Sequence, residues 1–244
     1  DAIYGIYGFV RIADEIVDTF NEFDQKNLMK NFRDETEEAL KTGISTNPVL
    51  QAFIHTVKEY KIDYHYIDAF LNSMEMDLTN SYYEPQQYKD YIYGSAEVVG
   101  LMCLQIFAGS DNKLFNQLIE PARSLGSAFQ KVNFLRDIKS DMEERERIYL
   151  PGVNHAIKID DASKQNLEKE IELEFKNALI GIKKLPAGVK LGVYSAYLYY
   201  LGLFKKIKRL KIKELMNQRV RVSNTTKLAL LLRGVLEIKI FRLT

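Results

Sequence analysis

Two pairs of aspartates, each with its members four residues apart, carry the strongest chemical signal in this sequence. Asp14 and Asp18 lie in FVRIADEIVDTF, and Asp137 and Asp141 lie in NFLRDIKSDMEERERIYLP. On a helix that spacing places both carboxylates of a pair on one face, about 6 Å apart along the axis. Paired carboxylates suit hard cations such as Mg²⁺, which takes one or two of them together with substrate phosphates. The two pairs therefore predict a site for metal and diphosphate.

Neighbouring polar residues extend both stripes. Arg11 and Tyr7 precede Asp14 on the same helix face, and Asn133 lies one turn before Asp137. Arg11, with Arg136 and Arg147 as further candidates, would supply cationic donors for phosphate oxygens. For the first stripe alone, an ordinary Arg–Asp pair on a solvated face is the simpler interpretation, and such pairs contribute only tenths of a kcal/mol.

Several other chemistries lack their sequence signals. There is no Walker motif and no GxGxxG, so an ATPase or a dinucleotide-binding enzyme is not supported. A di-iron bundle would need Glu-x-x-His motifs, and His55, His65 and His155 have no metal-ligand spacing. Metal, diphosphate and an apolar helical cavity together point to ionisation of an allylic diphosphate, with apolar walls that keep water from the carbocation.

Composition limits the binding partners and the cellular compartment that we expect for this protein. The net charge of +1 gives no overall field that favours nucleic acid. A single cysteine, Cys103, excludes an internal disulfide and fits a reducing compartment, so we expect a cytoplasmic protein. No run of about 18 uncharged apolar residues indicates a membrane span. The sequence begins at Asp1 inside an apolar pattern, so we expect that an N-terminal segment is missing.

Apolar periodicity and capping residues predict one all-α domain over residues 1–244, with about eight to ten helices and no convincing strand. Pro121 is the expected weak point of the longest helix, and residues 152–163 read as a loop. The predicted helices are 1–20, 26–41, 48–60, 63–78, 84–107, 113–142, 165–185, 188–209 and 225–240.

The helix over 84–107 carries small residues at Gly94, Ser95, Ala96 and Gly100. They are explained equally well by close helix packing and by a lowered wall beside a bulky ligand. Glu97, within the same apolar surface, is harder to explain because an unpaired buried carboxylate is costly.

Four segments resemble the phytoene and squalene synthase family of head-to-head prenyltransferases, and they span almost the whole chain. YGIYGFVRIADEIVD resembles the first family signature, and FQKVNFLRDIKSDMEERERIYLP the second. MEMDLTNSYYEPQQYKDYIYGSAEVVGLM is similar to the central segment, and RVRVSNTTKL to the basic C-terminal stretch. The resemblance implies a single helical bundle around a central cavity, and the short phytoene synthase branch fits best.

The resemblance also implies roles for individual residues. Mg²⁺, or Mn²⁺ in its place, would be bound by Asp14, Asp18, Asn133, Asp137 and Asp141 and would hold the prenyl diphosphates. Substrate would also be contacted by Arg11, Gln130, Asn133 and Arg219 at the diphosphate, by Tyr7, Tyr91 and Tyr200 at the reacting centre, and by Ala96, Val99 and Gly100 along the hydrocarbon channel.

The implied reaction joins two geranylgeranyl diphosphates through a cyclopropyl diphosphate to give phytoene, a step of carotenoid and isoprenoid biosynthesis. A C30 enzyme that makes dehydrosqualene, squalene or presqualene diphosphate from farnesyl diphosphate is the alternative, and use of NADPH stays open. An inactive scaffold is a further alternative, against which the intact DxxxD motifs argue. A plain helical binding protein with carboxylates merely on its surface is another.

Two features depart from the family pattern. The helix that usually precedes the first motif is absent from this sequence. Glu97 stands where many relatives carry Gly, so its carboxylate could narrow the channel or pair with a nearby Arg or Lys.

The basic segment Lys205–Lys213 and the apolar helix 228–240 could lie on an anionic membrane surface, or could equally be a solvated face and a core helix.

Overall fold

Side-chain caps set the starts of several helices. In the computed structural model, which describes residues 1–150 and 160–239, Asp24, Asn47, Asp63, Asp111 and Asp160 each accept a hydrogen bond from a first-turn backbone N–H. The α-helices of these two ranges are α1 (Ala2–Asp18), α2 (Gln25–Thr42), α3 (Pro48–Tyr60), α4 (Tyr64–Asp77), α5 (Pro85–Ile92), α6 (Val98–Ala108), α7 (Asn112–Glu143), α8 (Asp161–Lys184), α9 (Ala187–Lys208), α10 (Ile212–Leu215) and α11 (Asn224–Lys239).

The predicted all-α class is confirmed, since the described residues form no strand. One isolated β-bridge joins Tyr82 to Ile148, and the Ile148 N–H donates to the Ser81 carbonyl at 2.9 Å. This contact ties the segment that follows α7 to the segment that follows α4. Most of the predicted 152–163 loop lies outside the described residues.

Helix α7 runs unbroken through Pro121, contrary to the weak point predicted there. Gly181 of α8 lets the two helices approach at this position, because a Cβ on Gly181 would lie 2.3 Å from the Pro121 Cβ. A proline inside a helix loses one backbone hydrogen bond, and close packing along α8 offsets that loss. The 130–141 stripe therefore belongs to one continuous helix.

A π-helical turn, Tyr93–Glu97, separates α5 from α6, where the sequence predicted one uninterrupted α-helix. Its Gly94 touches α4, and a Cβ there would lie 2.3 Å from the Ala69 carbonyl oxygen. By length and composition, Pro85–Ala108 could cross a membrane, but half of its most apolar stretch is buried inside the protein, as in a core helix.

Helix α6 contributes to two apolar clusters. Val98 and Met102 pack into a cluster formed with α1–α4, in which Phe9 and Phe53 stack at 3.9 Å between ring centroids. Leu101 and other residues of α6 pack into a second cluster, formed with α7, α8, α9 and α10. The candidate site lies where α1, α6 and α7 meet.

Candidate active site

The two DxxxD pairs face one polar cavity of about 620 Å³. Helix α1 supplies Asp14 and Asp18, and α7 supplies Asp137 and Asp141, so segments about 120 residues apart in the chain converge as predicted. The remaining lining is mostly polar: Arg11, Tyr91, Gln130, Asn133, Phe134, Arg136, Lys139, Ser140, Glu144, Arg145, Tyr149, Arg219 and Arg221.

On the α1 side, both carboxylates are paired with arginines. Arg11 donates to Asp14 at 3.0 Å and also pairs with Glu15. Asp18 accepts from the Arg147 Nη1 at 2.7 Å, and the Arg147 Nη2 donates to the Val17 carbonyl at 2.6 Å. Arg147 therefore holds the end of α1 against the segment that follows α7.

On the α7 side, the carboxylates are paired in the same way. Asp137 lies 2.7 Å from the Arg219 Nε and 3.0 Å from the Arg136 Nε. Asp141 accepts from the Arg145 Nη1 at 3.0 Å, and the Arg145 Nε lies 3.5 Å from Asp18. Arg145 thus lies between carboxylates of the two motifs.

Burial and like charges favour the protonated forms of two of these carboxyls. Desolvation, and then the neighbouring Asp18, raise the pKa of Asp14 to about 6. Burial, together with the charges of Asp137 and Asp18 and against the effect of Arg145, raises the pKa of Asp141 to about 7. These two carboxyls therefore bind protons more tightly than an exposed aspartate does.

The donor set fits a hard divalent cation. The Asn133 Oδ1 is buried and accepts no hydrogen bond from the described residues, so it is a free oxygen donor beside the DxxxD carboxylates. In residues 1–150 and 160–239 no three acidic side chains lie close enough together to hold one metal ion. Mg²⁺ needs only one or two carboxylates when diphosphate completes its shell, so each pair meets that need.

An apolar cavity of about 350 Å³ lies next to the polar one. Ala96, Val99 and Gly100 line it, as the resemblance implied, and Gln130 lines both cavities. Gly100 also serves packing, since a Cβ there would lie 2.9 Å from the Ala122 carbonyl oxygen. Both interpretations of the small residues therefore hold for Gly100.

A buried carboxylate that the sequence analysis did not single out holds two tyrosines that line the polar cavity. Asp77, at the end of α4, accepts hydrogen bonds from the hydroxyls of Tyr83 at 2.8 Å, Tyr91 at 2.9 Å and Tyr149 at 2.8 Å. Arg147 lies 3.8 Å from it. Burial raises the pKa of Asp77, and the arginine and the three hydroxyls oppose that shift. The cluster of tyrosines in the central segment was the available signal.

Comparison with known proteins agrees with this geometry. The family model described as squalene/phytoene synthase matches residues 1–226. The chain belongs to the squalene/phytoene synthase family. It is 27% identical to a phytoene synthase of Arthrospira platensis, over 93% of this chain and 81% of that one. It is 25% identical to a 4,4'-diapophytoene synthase of Staphylococcus haemolyticus, over 61% of this chain and about half (51%) of that one. A solved dehydrosqualene synthase shares the fold, with a TM-score of 0.79 at 22% identity over 98% of this chain and 86% of that one.

Family membership makes the chain a prenyltransferase, and the tyrosines predicted near its reacting centre lie in three different settings. Tyr91 is buried and lines the polar cavity, but its hydroxyl is engaged by Asp77. Tyr200 lines neither cavity and stacks on Phe129, a wall residue of the apolar cavity, at 3.9 Å. Tyr7 is 62% exposed and lines neither cavity.

The structure answers the question about Glu97 that the sequence analysis left open. Glu97 accepts from the Arg123 Nε at 2.7 Å, and both lie in a separate polar cavity of about 510 Å³. The carboxylate does not line the apolar cavity. Pairing with a nearby arginine, one of the two open alternatives, is therefore the one observed.

Proposed function

We propose that this enzyme condenses two geranylgeranyl diphosphates head to head, through a cyclopropyl diphosphate, to give phytoene in an Mg²⁺-dependent reaction. Head-to-head prenyl condensation is the reaction of the family as a whole. One observation carries the assignment: a cavity of carboxylates and arginines adjoins an apolar cavity, and Gln130 lines both. A prenyl diphosphate has the same division into a charged head and an apolar tail.

At the polar end, the proposed task is to bind and orient the diphosphate heads. Asp14, Asp18, Asn133, Asp137 and Asp141 would hold Mg²⁺, which when bound supplies Lewis-acid stabilisation of the leaving diphosphate.

Arginines that now pair with these carboxylates would donate to diphosphate oxygens. Arg11 and Arg219 keep their side chains about half exposed, so they can turn toward a ligand. Arg136 lies beside Asp137 and adds a third fork of donors.

At the apolar end, the proposed task is to hold the hydrocarbon and to exclude water from the allylic cation. When the C1–O bond breaks, its electron pair leaves with the diphosphate, and the cation stays in the apolar cavity. Phe129 directly precedes Gln130 in the chain, lines the apolar cavity and stacks on Tyr200, so it offers an aromatic face near the junction.

The test is a product assay with the full-length protein. Geranylgeranyl and farnesyl diphosphates are supplied separately with Mg²⁺, and the extracted hydrocarbon is identified. Phytoene should form from the C20 substrate, and Asp137→Asn should lower turnover by about 100-fold or more. The matched control is Asp34→Asn, which removes a carboxylate from an exposed Lys30 pair and should leave turnover unchanged. Unchanged turnover in Asp137→Asn would contradict the proposal.

The C30 reaction is the second candidate. The 4,4'-diapophytoene synthase relative favours it, because that name denotes a C30 product. The same assay separates the two candidates: hydrocarbon from farnesyl diphosphate alone would replace phytoene by a C30 product. Dependence of that product on added NADPH would then distinguish squalene from dehydrosqualene.

We also propose that a cytoplasmic form of the enzyme meets an anionic membrane surface through α11. Leu228, Leu231, Leu232 and Leu236 are exposed and spaced so that they form one stripe. The opposite face packs on α9. A Cβ added at Gly234 would lie 3.4 Å from the Cδ1 of Leu198. The basic segment Lys205–Lys213 supplies charges for anionic lipid.

Vesicle co-sedimentation tests this contact. Binding to vesicles of mixed anionic and zwitterionic lipid should fall strongly in Leu232→Ser and at high salt. Leu173→Ser, at a single exposed leucine on α8, is the matched control and should bind like the wild type. Equal binding by all three proteins would remove the proposal.

A further inference from the structure

Two arginines of the segment after α7 reach Asp18, but their surroundings differ. The Arg147 side chain is 9% exposed and has three fixed partners besides Asp18: the Val17 carbonyl, the Tyr149 hydroxyl and, at 3.8 Å, Asp77. The Arg145 side chain is 30% exposed, and its recorded partners are carboxylates only. Arg147 is therefore built into the protein, whereas Arg145 is held only by charges of the site.

The position of Arg145 matters more than its exposure. Its guanidinium lies 3.0 Å from Asp141 of the second motif and 3.5 Å from Asp18 of the first. Its Nε is buried and makes no hydrogen bond within the described ranges. A cation between these two carboxylates lowers their repulsion, which is also what a bound metal ion would do there. Arg145 and a metal ion bound by either motif therefore compete for these carboxylates.

The backbone beside Arg145 is consistent with a side chain that can move. Glu146 has φ of 54°, an uncommon left-handed conformation for a residue with a side chain, and it lies between the two arginines. Because Arg147 fixes the chain on one side and Glu143 ends α7 on the other, Arg145 can leave the carboxylates without disturbing either anchor.

We propose that Arg145 competes with metal for Asp141 and Asp18 in the empty enzyme and makes metal binding depend on diphosphate. Metal alone must expel Arg145 from its two carboxylates with no new partner for the guanidinium. Metal that arrives with diphosphate provides one, because phosphate oxygens accept the bidentate donors of arginine. The inference rests on the proposed function, since it assumes that the polar cavity takes metal and diphosphate. Arg145 is a specificity-determining residue in this view: it selects the metal–diphosphate pair over the free metal.

The experiment measures the melting temperature against Mg²⁺ concentration, with and without inorganic pyrophosphate. In the wild type, pyrophosphate should lower the Mg²⁺ midpoint strongly. In Arg145→Gln the midpoint for Mg²⁺ alone should fall by about tenfold, which corresponds to about 1.4 kcal/mol, and the effect of pyrophosphate should shrink. The matched control is Arg123→Gln, which breaks an arginine pair with Glu97 outside the site and should leave the midpoint unchanged.

The possible outcomes separate a failure of this inference from a failure of the proposed function. A midpoint in Arg145→Gln equal to or above that of the wild type overturns the inference while the proposed function stands. No stabilisation of the wild type by Mg²⁺ with pyrophosphate removes both. Should Arg145→Gln fail to fold, Arg145→Lys replaces it, because lysine keeps the charge but lacks the fork. Its midpoint for Mg²⁺ alone must then lie below that of the wild type.

Discussion

Replacing Asp77 by alanine should destabilise the protein by several kcal/mol, and the structure allows the size to be worked out. The change removes the acceptor for three buried tyrosine hydroxyls. Tyr149 keeps a partner, since it also accepts from Arg147 at 3.3 Å, but Tyr83 and Tyr91 lose the one partner recorded for each. An unsatisfied buried hydroxyl costs about 1–3 kcal/mol, so the two together cost about 2–6 kcal/mol. For a chain of this size, a loss of about 4 kcal/mol lowers Tm by roughly 8–16 °C.

A double-mutant cycle makes the same reasoning testable by sign. Tyr91→Phe should destabilise the wild type, because it breaks the bond to Asp77, but should stabilise Asp77→Ala, because it removes a stranded hydroxyl. Tyr88→Phe is the matched control on the same helix: Tyr88 is 6% exposed against 4% for Tyr91, and its hydroxyl has no partner in the described residues. It should be near neutral in both backgrounds.

Urea unfolding, monitored by circular dichroism, gives the four free energies of unfolding. A loss below about 1 kcal/mol in Asp77→Ala would refute the account of the cluster. So would a Tyr91→Phe change of the same sign in both backgrounds, because the hydroxyl would then not depend on Asp77.

Three further predictions follow from the cavities and their charges. Val99→Phe should fill part of the apolar cavity and lower kcat/KM for the C20 diphosphate about tenfold more than for the C15 diphosphate, as measured by competition. The raised pKa values of Asp14 and Asp141 mean that the folded state binds protons more tightly than the unfolded chain. Without metal, stability to urea should therefore rise as pH falls from about 8 to about 5, and the Mg²⁺ midpoint should rise over the same range because Mg²⁺ needs the ionised carboxylates. Glu97→Gln should cost about 1 kcal/mol in stability, since it weakens the pair with Arg123, and should leave the product unchanged; a new product chain length would contradict the assignment of Glu97 to the separate cavity.

The helices and the helix face that each motif's carboxylates share were predictable, because both depend on local rules. Asn47 and Asp63 cap helices where the sequence indicated, and the i, i+4 spacing in each motif fixes which side chains share a face. Convergence of the motifs in one cavity came from the family resemblance together with the chemistry of paired carboxylates.

The ion pairs could not be predicted in the same way. Glu97 and Arg123 lie on different helices, and their pairing depends on how α7 crosses the π-helical turn. Asp77 accepts hydrogen bonds from Tyr83 and Tyr91 of its own segment and from the distant Tyr149, and no spacing along the chain indicates the contact with Tyr149. Arg145 precedes Glu146, whose backbone is left-handed, and glutamate is not a residue type that signals this conformation.

The π-helical turn Tyr93–Glu97 has a consequence for the length of the chain. A π-helical turn contains about one residue more than an α-helical turn, so everything after it is rotated by about 100° about the helix axis. With this rotation, Tyr91 lines the polar cavity and Val99 lines the apolar cavity, although the sequence predicts that both belong to a single helix. Removing one residue here would leave the carboxylates and arginines of the polar cavity unchanged and still turn the apolar wall of α6 away from its cavity, so the length of this stretch matters as well as its residues.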